Sequence, residues 1–528
     1  MTLSKLLYLN YGKGHLLLLV AVVLSLCLLS GCVNEKTASQ TASESSDQNA
    51  TQYSSDVVIP LDLPSELVSS NIMTKKNGVP GGGIIYEGLV TKDRSGTYQP
   101  ELAESWNVSD DAKTWTFHLV HNATWHDGVP LTSADVKFTN DFLKENNLTM
   151  GFVLSDVESV TCPDDYTVVF KLKNAYSVWP DRLAQSPGIG VYPKHIYEKI
   201  EDPKTWKDTE CIGTGSFRFD KSEPGYVRLA RNDGYRGVAP AVSGVILKLI
   251  TNKDSQILAL KNGEIDVVDG ITPAIAESLR KEPNIQVLTI PATTGYELGF
   301  NTVQYPTNLS SFRHALSHTV DRDTICKVLG GAHPSNTTYL MREVAGDYIN
   351  PDKTGMYEYN LSQAREELRQ AGFIQDEKGV LRGPDGNPVE LILPVGGKGE
   401  AATVEKIVTA LRNDWATLGI QAKTTNYDEE TQYRKAVYTG NVFIDGMPSI
   451  LHDDPDDLVN FAITPLQQKN YYSFNNSEFN SLTGKVRNTI DREERKQVGY
   501  QMQEILAEQV PTVPICTEDN YIACRSDR

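Results

Sequence analysis

The chain lacks the short signatures of the common hydrolytic and nucleotide-driven chemistries. No Gly-x-Ser-x-Gly, Gly-x-x-x-x-Gly-Lys-Ser/Thr or His-Glu-x-x-His occurs in its 528 residues. Serine hydrolase, P-loop and zincin readings therefore have no motif to rest on. Cys-x-x-Cys is also missing, which leaves a zinc ribbon or a thioredoxin-like redox site unsupported. Positive charge is scarce. Lys and Arg number 50 against 68 Asp and Glu, giving a net charge of -18 and a pI near 5.0. That balance argues against nucleic acid and against docking on an anionic lipid surface. Neither a long heptad run nor an internal repeat is present. What remains is a non-enzyme without cofactor or metal, long enough for two or more domains.

The first 31 residues read as an export signal. Lys5, Lys13 and His15 precede an apolar run from Leu16 to Leu29, shorter than the roughly 20 residues that span a bilayer. The run ends in Leu29-Ser30-Gly31-Cys32, which resembles a lipobox. In that motif the cysteine is lipidated and becomes the first mature residue. Residues 32–53 are Ser, Thr, Gln, Asp and Glu with almost nothing apolar, and are expected to form a disordered tether. The bulk of the chain is then expected on the extracellular face of the cell membrane, held by a lipid on Cys32. Beyond Cys27 and Cys32 the chain has Cys162, Cys211, Cys326, Cys516 and Cys524, an odd number that leaves at least one thiol free. Glu518-Asp519-Asn520 reads as a hairpin turn that brings Cys516 across from Cys524.

Alternating strand and helix signals dominate the remainder. Trp115, Phe117 and Leu119 alternate with Thr114, Thr116 and His118, the period of a strand with one buried face. Asp127-Gly128 supplies a turn. Thr132 and Asp135 form a capping box opening a helix on which Ala134, Phe138 and Phe142 share a face. Asp254 is expected to cap a helix that Gly263 ends, with a strand from Glu264 to Val268. Val389 to Leu393, a helix from about Glu400 to Leu418, and a strand from Ile420 form a β-α-β unit. Gly213 and Gly215 read as a backbone turn before Phe217.

The order Pro100-Glu-Leu-Ala-Glu-Ser-Trp106, the alternating strand, His126-Asp127-Gly128 and Leu131-Thr-Ser-Ala-Asp-Val136 resembles the signature region of the family 5 extracellular solute-binding proteins. These proteins feed dipeptides, oligopeptides, nickel chelates or short sugars to ABC importers. Pro193-Lys-His-Ile-Tyr197, Gly213-Thr-Gly-Ser-Phe217, Leu260 to Asp266, Leu298-Gly-Phe-Asn301 and Arg313-His-Ala-Leu316 with Asp321-Arg322 are similar to further landmarks of that family. Val120 departs from it, standing where relatives carry a basic residue. The resemblance implies an α/β, two-lobed periplasmic-binding-protein-like fold of type II, with a ligand cleft between the lobes. Lobe one would run from 54 to 291 with an extra subdomain at about 80–205, lobe two from 292 to 500, and residues 501–528 would return to lobe one.

Capture of a di- or oligopeptide and delivery to a permease by a monomer is the function this implies, with nickel or another metal chelate as the alternative ligand. A secreted hydrolase and a sensory receptor are the rivals from other classes. Peptide-binding relatives place an acid for the peptide amine four residues before the proline of a similar Asp-Pro, where this chain has Leu451. His452 or Asp453 would take over that contact. Tyr296, Asn301, Trp179 and Tyr86 are candidates for the remaining walls, each with core packing as its plain alternative. The run Asp454-Pro455-Asp456-Asp457 also reads as a helix start, with Asp454 as N-cap and Pro455 as first residue. His314 and His318, spaced i, i+4, and the trio His118, His121 and His126 are the weaker metal candidates. If Cys32 is the lipidated residue, Cys32→Ser is expected to release the protein from membranes or leave its signal uncut. Membrane fractionation with mass spectrometry of the N-terminus checks this, and unchanged cleavage and retention without a lipid on the native protein would contradict it.

Overall fold

The structure is a computed structural model that describes residues 55–61, 82–93, 97–148, 154–184, 190–206, 208–335, 346–353, 357–396, 401–427, 429–447, 454–462 and 470–527. It divides into two compact units. One comprises the residues up to Thr289 together with Tyr521–Arg528, and the other runs from Ile290 to Asn520.

In the first unit, β1 (Val57–Leu61) begins a four-stranded sheet. A second sheet follows from β2 (Ala103–Val108), β3 (Thr114–Leu119), β4 (Val157–Asp164) and β5 (Thr167–Leu172), with α1 (Ser133–Glu145) between β3 and β4. Its order is β2-β3-β5-β4, antiparallel throughout. Trp115, Phe117 and Leu119 point inward as their alternation requires, against Phe170 and Trp179. The backbone N–H of Thr132 donates to the Asp135 carboxylate at 2.9 Å, so the capping box forms. The buried stripe of α1, however, runs through Val136, Thr139, Asn140 and Leu143, while Ala134 is exposed.

The first sheet is completed by β6 (Phe217–Glu223), β7 (Tyr226–Arg231) and β8 (Gly244–Leu249), in the order β1-β8-β7-β6 with β1 and β8 parallel. After β8 comes α2 (Lys253–Asn262). Its cap is Asn252 rather than Asp254, because the Asn252 side chain accepts from Ser255 N at 2.9 Å. Gly263 ends the helix at φ +75°, a left-handed value that favours glycine. The strand then expected from Glu264 shrinks to β9 (Val267–Val268), and α3 (Pro273–Leu279) follows. Leu260, Ile265, Val268, Ile271 and Leu279 form an apolar cluster closed by Ala523.

Strand β10 (Ile285–Phe300) carries the chain into the second unit. There α4 (Ser310–Ser317), α5 (Arg322–Leu329), β11 (Ala332–Pro334) and α6 (Leu361–Gln370) lead to β12 (Glu390–Gly396), α7 (Ala401–Thr417) and β13 (Gln421–Tyr427). Pairing of β12 with β13 is parallel, from Glu390 opposite Gln421 onward, so the expected β-α-β unit is present. Trp415 of α7 is fully buried and spends its indole N–H on Thr319 Oγ1 at 2.9 Å. Next come β14 (Val442–Met447), a short 3-10 helix (Pro455–Phe461), α8 (Ser477–Asn488) and α9 (Arg492–Gln509). The last strand, β15 (Thr512–Arg525), runs unbroken through Glu518-Asp519-Asn520. The hairpin read from those residues does not form, since their side chains suit a turn but the pairing with β11 and β9 holds them extended. Cys516 and Cys524 thus sit eight residues apart along one strand, not across from each other.

Gly213 and Gly215 serve close approach rather than a turn with special dihedrals. A Cβ on Gly213 would stand 1.9 Å from the Ile85 carbonyl oxygen, and one on Gly215 would stand 2.2 Å from that of Ile84. Gly215 N–H bonds the Ile85 carbonyl at 2.8 Å, so the two segments cannot separate without losing it. Gly213→Ala is expected to destabilise the first unit by about 2–4 kcal/mol. Gly128→Ala, in open space at φ +87°, should cost only about 1 kcal/mol. Urea melts of both variants check the contrast, which vanishes if Gly213 has room to shift.

Candidate functional site

The loop with the richest polar chemistry is bracketed by two fixed ends in the second unit. On its upstream side β14 pairs antiparallel with β10, placing Tyr296 opposite Gly446 and Glu297 opposite Asp445. This pairing is tight because Gly299 faces Phe443. A Cβ at 299 would lie 2.3 Å from the phenyl ring. Downstream, Asp454 caps the 3-10 helix, its Oδ1 accepting from Asp456 N at 2.8 Å. Arg495 of α9 holds the same carboxylate, with Nε 2.8 Å from Oδ2. Both side chains are nearly buried, and Arg495 also donates to the carbonyls of Val486 and Thr489. Asp456 is taken by Arg487, Nε to Oδ1 2.8 Å. The cap expected of Asp454-Pro455 therefore forms, and Asp454 and Asp456 are both engaged by arginine. Leu451, His452 and Asp453 lie outside the described residues.

Of the described candidates, Tyr296 and Asn301 share β10 and its exit. Tyr296 is buried in the main apolar cluster of the second unit. Asn301 is fully buried, its Nδ2 donating to the Tyr438 carbonyl at 3.1 Å and its Oδ1 accepting from Val303 N at 3.3 Å. Trp179 and Tyr86 belong to the first unit. Trp179 has no exposed surface and packs against Phe170 at 4.8 Å between ring centroids. Tyr86 donates its hydroxyl to Asp208 at 2.7 Å, and Tyr197 does the same. Burial, with Tyr197 and Asp208 close by, pushes the Tyr86 hydroxyl pKa well above the ordinary phenol range.

His314, His318, His126 and His121 are spent on backbone and neighbours. His314 Nε2 meets the Glu508 carbonyl at 2.7 Å, and His318 Nδ1 meets that of Glu358 at 2.8 Å. His126 Nδ1 accepts from Gly213 N–H at 3.2 Å, so its Nε2 carries the proton and donates to the Gly215 carbonyl at 3.1 Å. That is a neutral tautomer, and burial lowers its pKa from the usual imidazole value. His121 stacks on Tyr166 at 4.0 Å. Among the described residues no three His, Cys, Asp or Glu side chains gather as a metal site would require.

Sequence reasoning passed over Glu297, a buried acid opposite Asp445 near the end of β14. It is 1% exposed and accepts a hydrogen bond from Tyr472. Burial raises its pKa to about 8, against the opposing pull of that hydroxyl, and Asp445 across the strand pair adds to the rise. The signal was available, since Glu297 interrupts an otherwise apolar Tyr-x-Leu-Gly-Phe strand, but alternation alone puts acids on the wet face.

Between about pH 4.5 and 8 the unfolded chain ionises Glu297 while the folded chain keeps its proton. Stability therefore falls as pH rises through that window, by about 1.4 kcal/mol per unit from this group. Glu297→Gln should remove that slope, gaining on the native protein from pH 5 to pH 8 in chemical denaturation. Parallel curves for the two proteins would show that Glu297 ionises freely in the fold.

Residues 97–469 match the family described as bacterial extracellular solute-binding proteins, family 5 Middle. The chain is 29% identical over 368 residues to a Brucella ovis protein named as a candidate ABC transporter peptide-binding protein, covering 67% of this chain and 66% of that one. It is 26% identical over 447 residues to the dipeptide-binding protein of Escherichia coli, covering 79% of this chain and 80% of the relative. In fold it is similar to NikZ from Campylobacter jejuni in complex with Ni(L-His), with a TM-score of 0.70 at 23% identity over 89% of this chain and 94% of the other.

Proposed function

The chain belongs to family 5 of the bacterial extracellular solute-binding proteins, with their two-lobed α/β fold, and we propose that it captures di- or oligopeptides outside the cell for an ABC permease. The observation that carries this reading is the framing of residues 448–453. A strand pair fixes one end, and a buried carboxylate clamped by Arg495 fixes the other. Asp453 stands one residue before the clamped Asp454 and is the group proposed to take the peptide amine. A charge-assisted bond of that kind is worth more in a desolvated pocket than in water.

Transport needs binding and release, not chemistry. Closure of the two lobes follows if a ligand touches both and binds the closed state more tightly, because only differential affinity moves such an equilibrium. On this reading lobe one ends near residue 291 and resumes toward the C-terminus, and the protein works as a monomer tethered through a lipid on Cys32. Tyr296, Asn301, Trp179 and Tyr86, all buried, are proposed to serve the ligand through the backbone they pack against rather than by touching it. Relatives carry names for peptide binding, which is the reason a peptide leads.

A nickel or other metal chelate is the second reading, and it rests on His452, an imidazole beside the proposed amine anchor. Calorimetry separates the two. Asp453→Asn is expected to weaken peptide binding by about 1.5–3 kcal/mol, roughly ten- to a hundredfold, and to penalise N-acetylated peptides much less. If the cargo is instead a chelate, His452→Ala abolishes binding of nickel with a chelator, and binding fades as pH drops below about 6. Unaltered binding of every ligand by both variants would reduce the loop to a connection between β14 and its helix cap.

A further inference from the structure

Two cysteines and an arginine meet in the second unit, remote in sequence from the loop at 448–453. Cys326 lies on α5 and Cys516 on β15, both buried in the same apolar cluster. The topology brings them together in a definite way. Gly330 and Gly331, at φ +75° and +143°, reverse the chain after α5, and β11 then pairs with β15 so that Pro334 stands opposite Cys516. The two thiols lie within hydrogen-bonding reach of each other. Both are free in this structure.

Arg322, one turn before Cys326 on α5, supplies a second and independent observation. It is 8% exposed, and its Nε donates to the carbonyls of Ser335 and Pro514 at 2.8 and 2.9 Å, its Nη1 to that of Tyr357 at 2.7 Å. Nη2 is buried with no hydrogen-bond partner. A buried guanidinium tied only to carbonyls favours negative charge nearby, and the cysteines are the ionisable groups beside it, with Tyr357. The Cys326 thiol is held below its ordinary range, first by the hydrogen bond from Cys516 and further by Arg322. Cys516 moves up, because losing its proton would break that bond. Asp323 and Glu518 oppose ionisation of Cys326.

We propose that Cys326 and Cys516 form a disulfide in the exported protein, joining α5 to β15. The oxidant is a disulfide of the thiol–disulfide exchange class, protein-borne or small. The Cys326 thiolate attacks one of its sulfurs, forming a mixed disulfide and releasing one thiolate. That thiolate takes the proton of Cys516, whose sulfur then attacks Cys326 Sγ and expels the second thiolate, which recovers from solvent the proton that Cys326 had given up. Two protein thiols are oxidised and one disulfide is reduced to two thiols, so electrons and protons balance. The other described cysteines stay out. Cys211 is buried beside Asp208, Cys524 bonds the Gln286 carbonyl, and Cys162 bonds that of Ser133.

Alkylation mapping tests the pairing on the full chain. The purified protein is incubated with oxidised glutathione, denatured without reductant, treated with iodoacetamide and digested. Peptides containing Cys326 and Cys516 are expected to be linked, with a mass lower by two hydrogens than the sum of the free peptides. Both should take the label only after reduction, while Cys162, Cys211 and Cys524 take it at once. In Cys326→Ser, Cys516 should become alkylatable before reduction. Full labelling of Cys326 and Cys516 in the native sequence, or linkage of either to another cysteine, would overturn the proposal. Because glutathione is added in vitro, the outcome does not depend on which ligand the protein carries or on how it is anchored.

Discussion

A guanidinium taken out of water has five N–H donors to satisfy and a charge to offset, and the second unit buries three of them. Arg313 donates to the carbonyls of Thr307, Gln509 and Val510. Arg322 reaches those of Ser335, Pro514 and Tyr357. Arg495 reaches those of Val486 and Thr489 and the carboxylate of Asp454. All but the Asp454 carboxylate are main-chain oxygens, and those of Gln509, Val510, Val486 and Thr489 lie at the C-terminal ends of helices, where regular hydrogen bonding stops. Each arginine therefore fixes a junction that packing alone would leave loose. An arginine withdrawn from its set would abandon several buried carbonyls at once, a loss of several kcal/mol.

The described residues on either side of 448–453 are tied into this arrangement. Arg495 fixes Asp454, Asp454 caps the 3-10 helix, and the helix delivers Phe461 and Leu458 into the apolar cluster around Phe443 and Tyr472. Tyr472 in turn donates to Glu297 on the strand that pairs with β14. A charge network and an apolar cluster thus meet at both ends of residues 448–453.

Much of this was legible before any coordinates. Trp115, Phe117 and Leu119 announced a strand, Thr132 with Asp135 announced a helix start, and the run from Val389 to Ile420 announced a parallel β-α-β unit. All three depend on local chemistry that the sequence states outright. The helix after β8 takes Asn252 as its cap instead of the expected Asp254, because both residue types serve and only the position of Ser255 N decides between them. Phe138 and Phe142 do share a face, their rings 5.0 Å apart, while Ala134 is left exposed, because a three- or four-residue spacing does not say how far the buried stripe extends. Glu518-Asp519-Asn520 failed as a turn because long-range pairing with β11 overrode local preference. The burial of Glu297 and the meeting of Cys326 with Cys516 join positions far apart in the chain, and no local signal encodes such meetings.

Strand β15 also fixes the order in which the chain can finish folding. Val267 and Val268 find their partners only at Cys524 and Ala523, and the cluster around Leu260 and Leu279 is closed by Ala523. A polypeptide crossing a membrane from its N-terminus presents residues 57–289 long before residues 521–525 arrive. During that interval the first unit has an open apolar flank and an unpaired strand, both prone to aggregation. Contacts so distant in sequence form slowly once the chain is complete. The exporting cell must then shelter a nearly finished domain until some 230 further residues have passed, a rough chain-length demand set by topology alone.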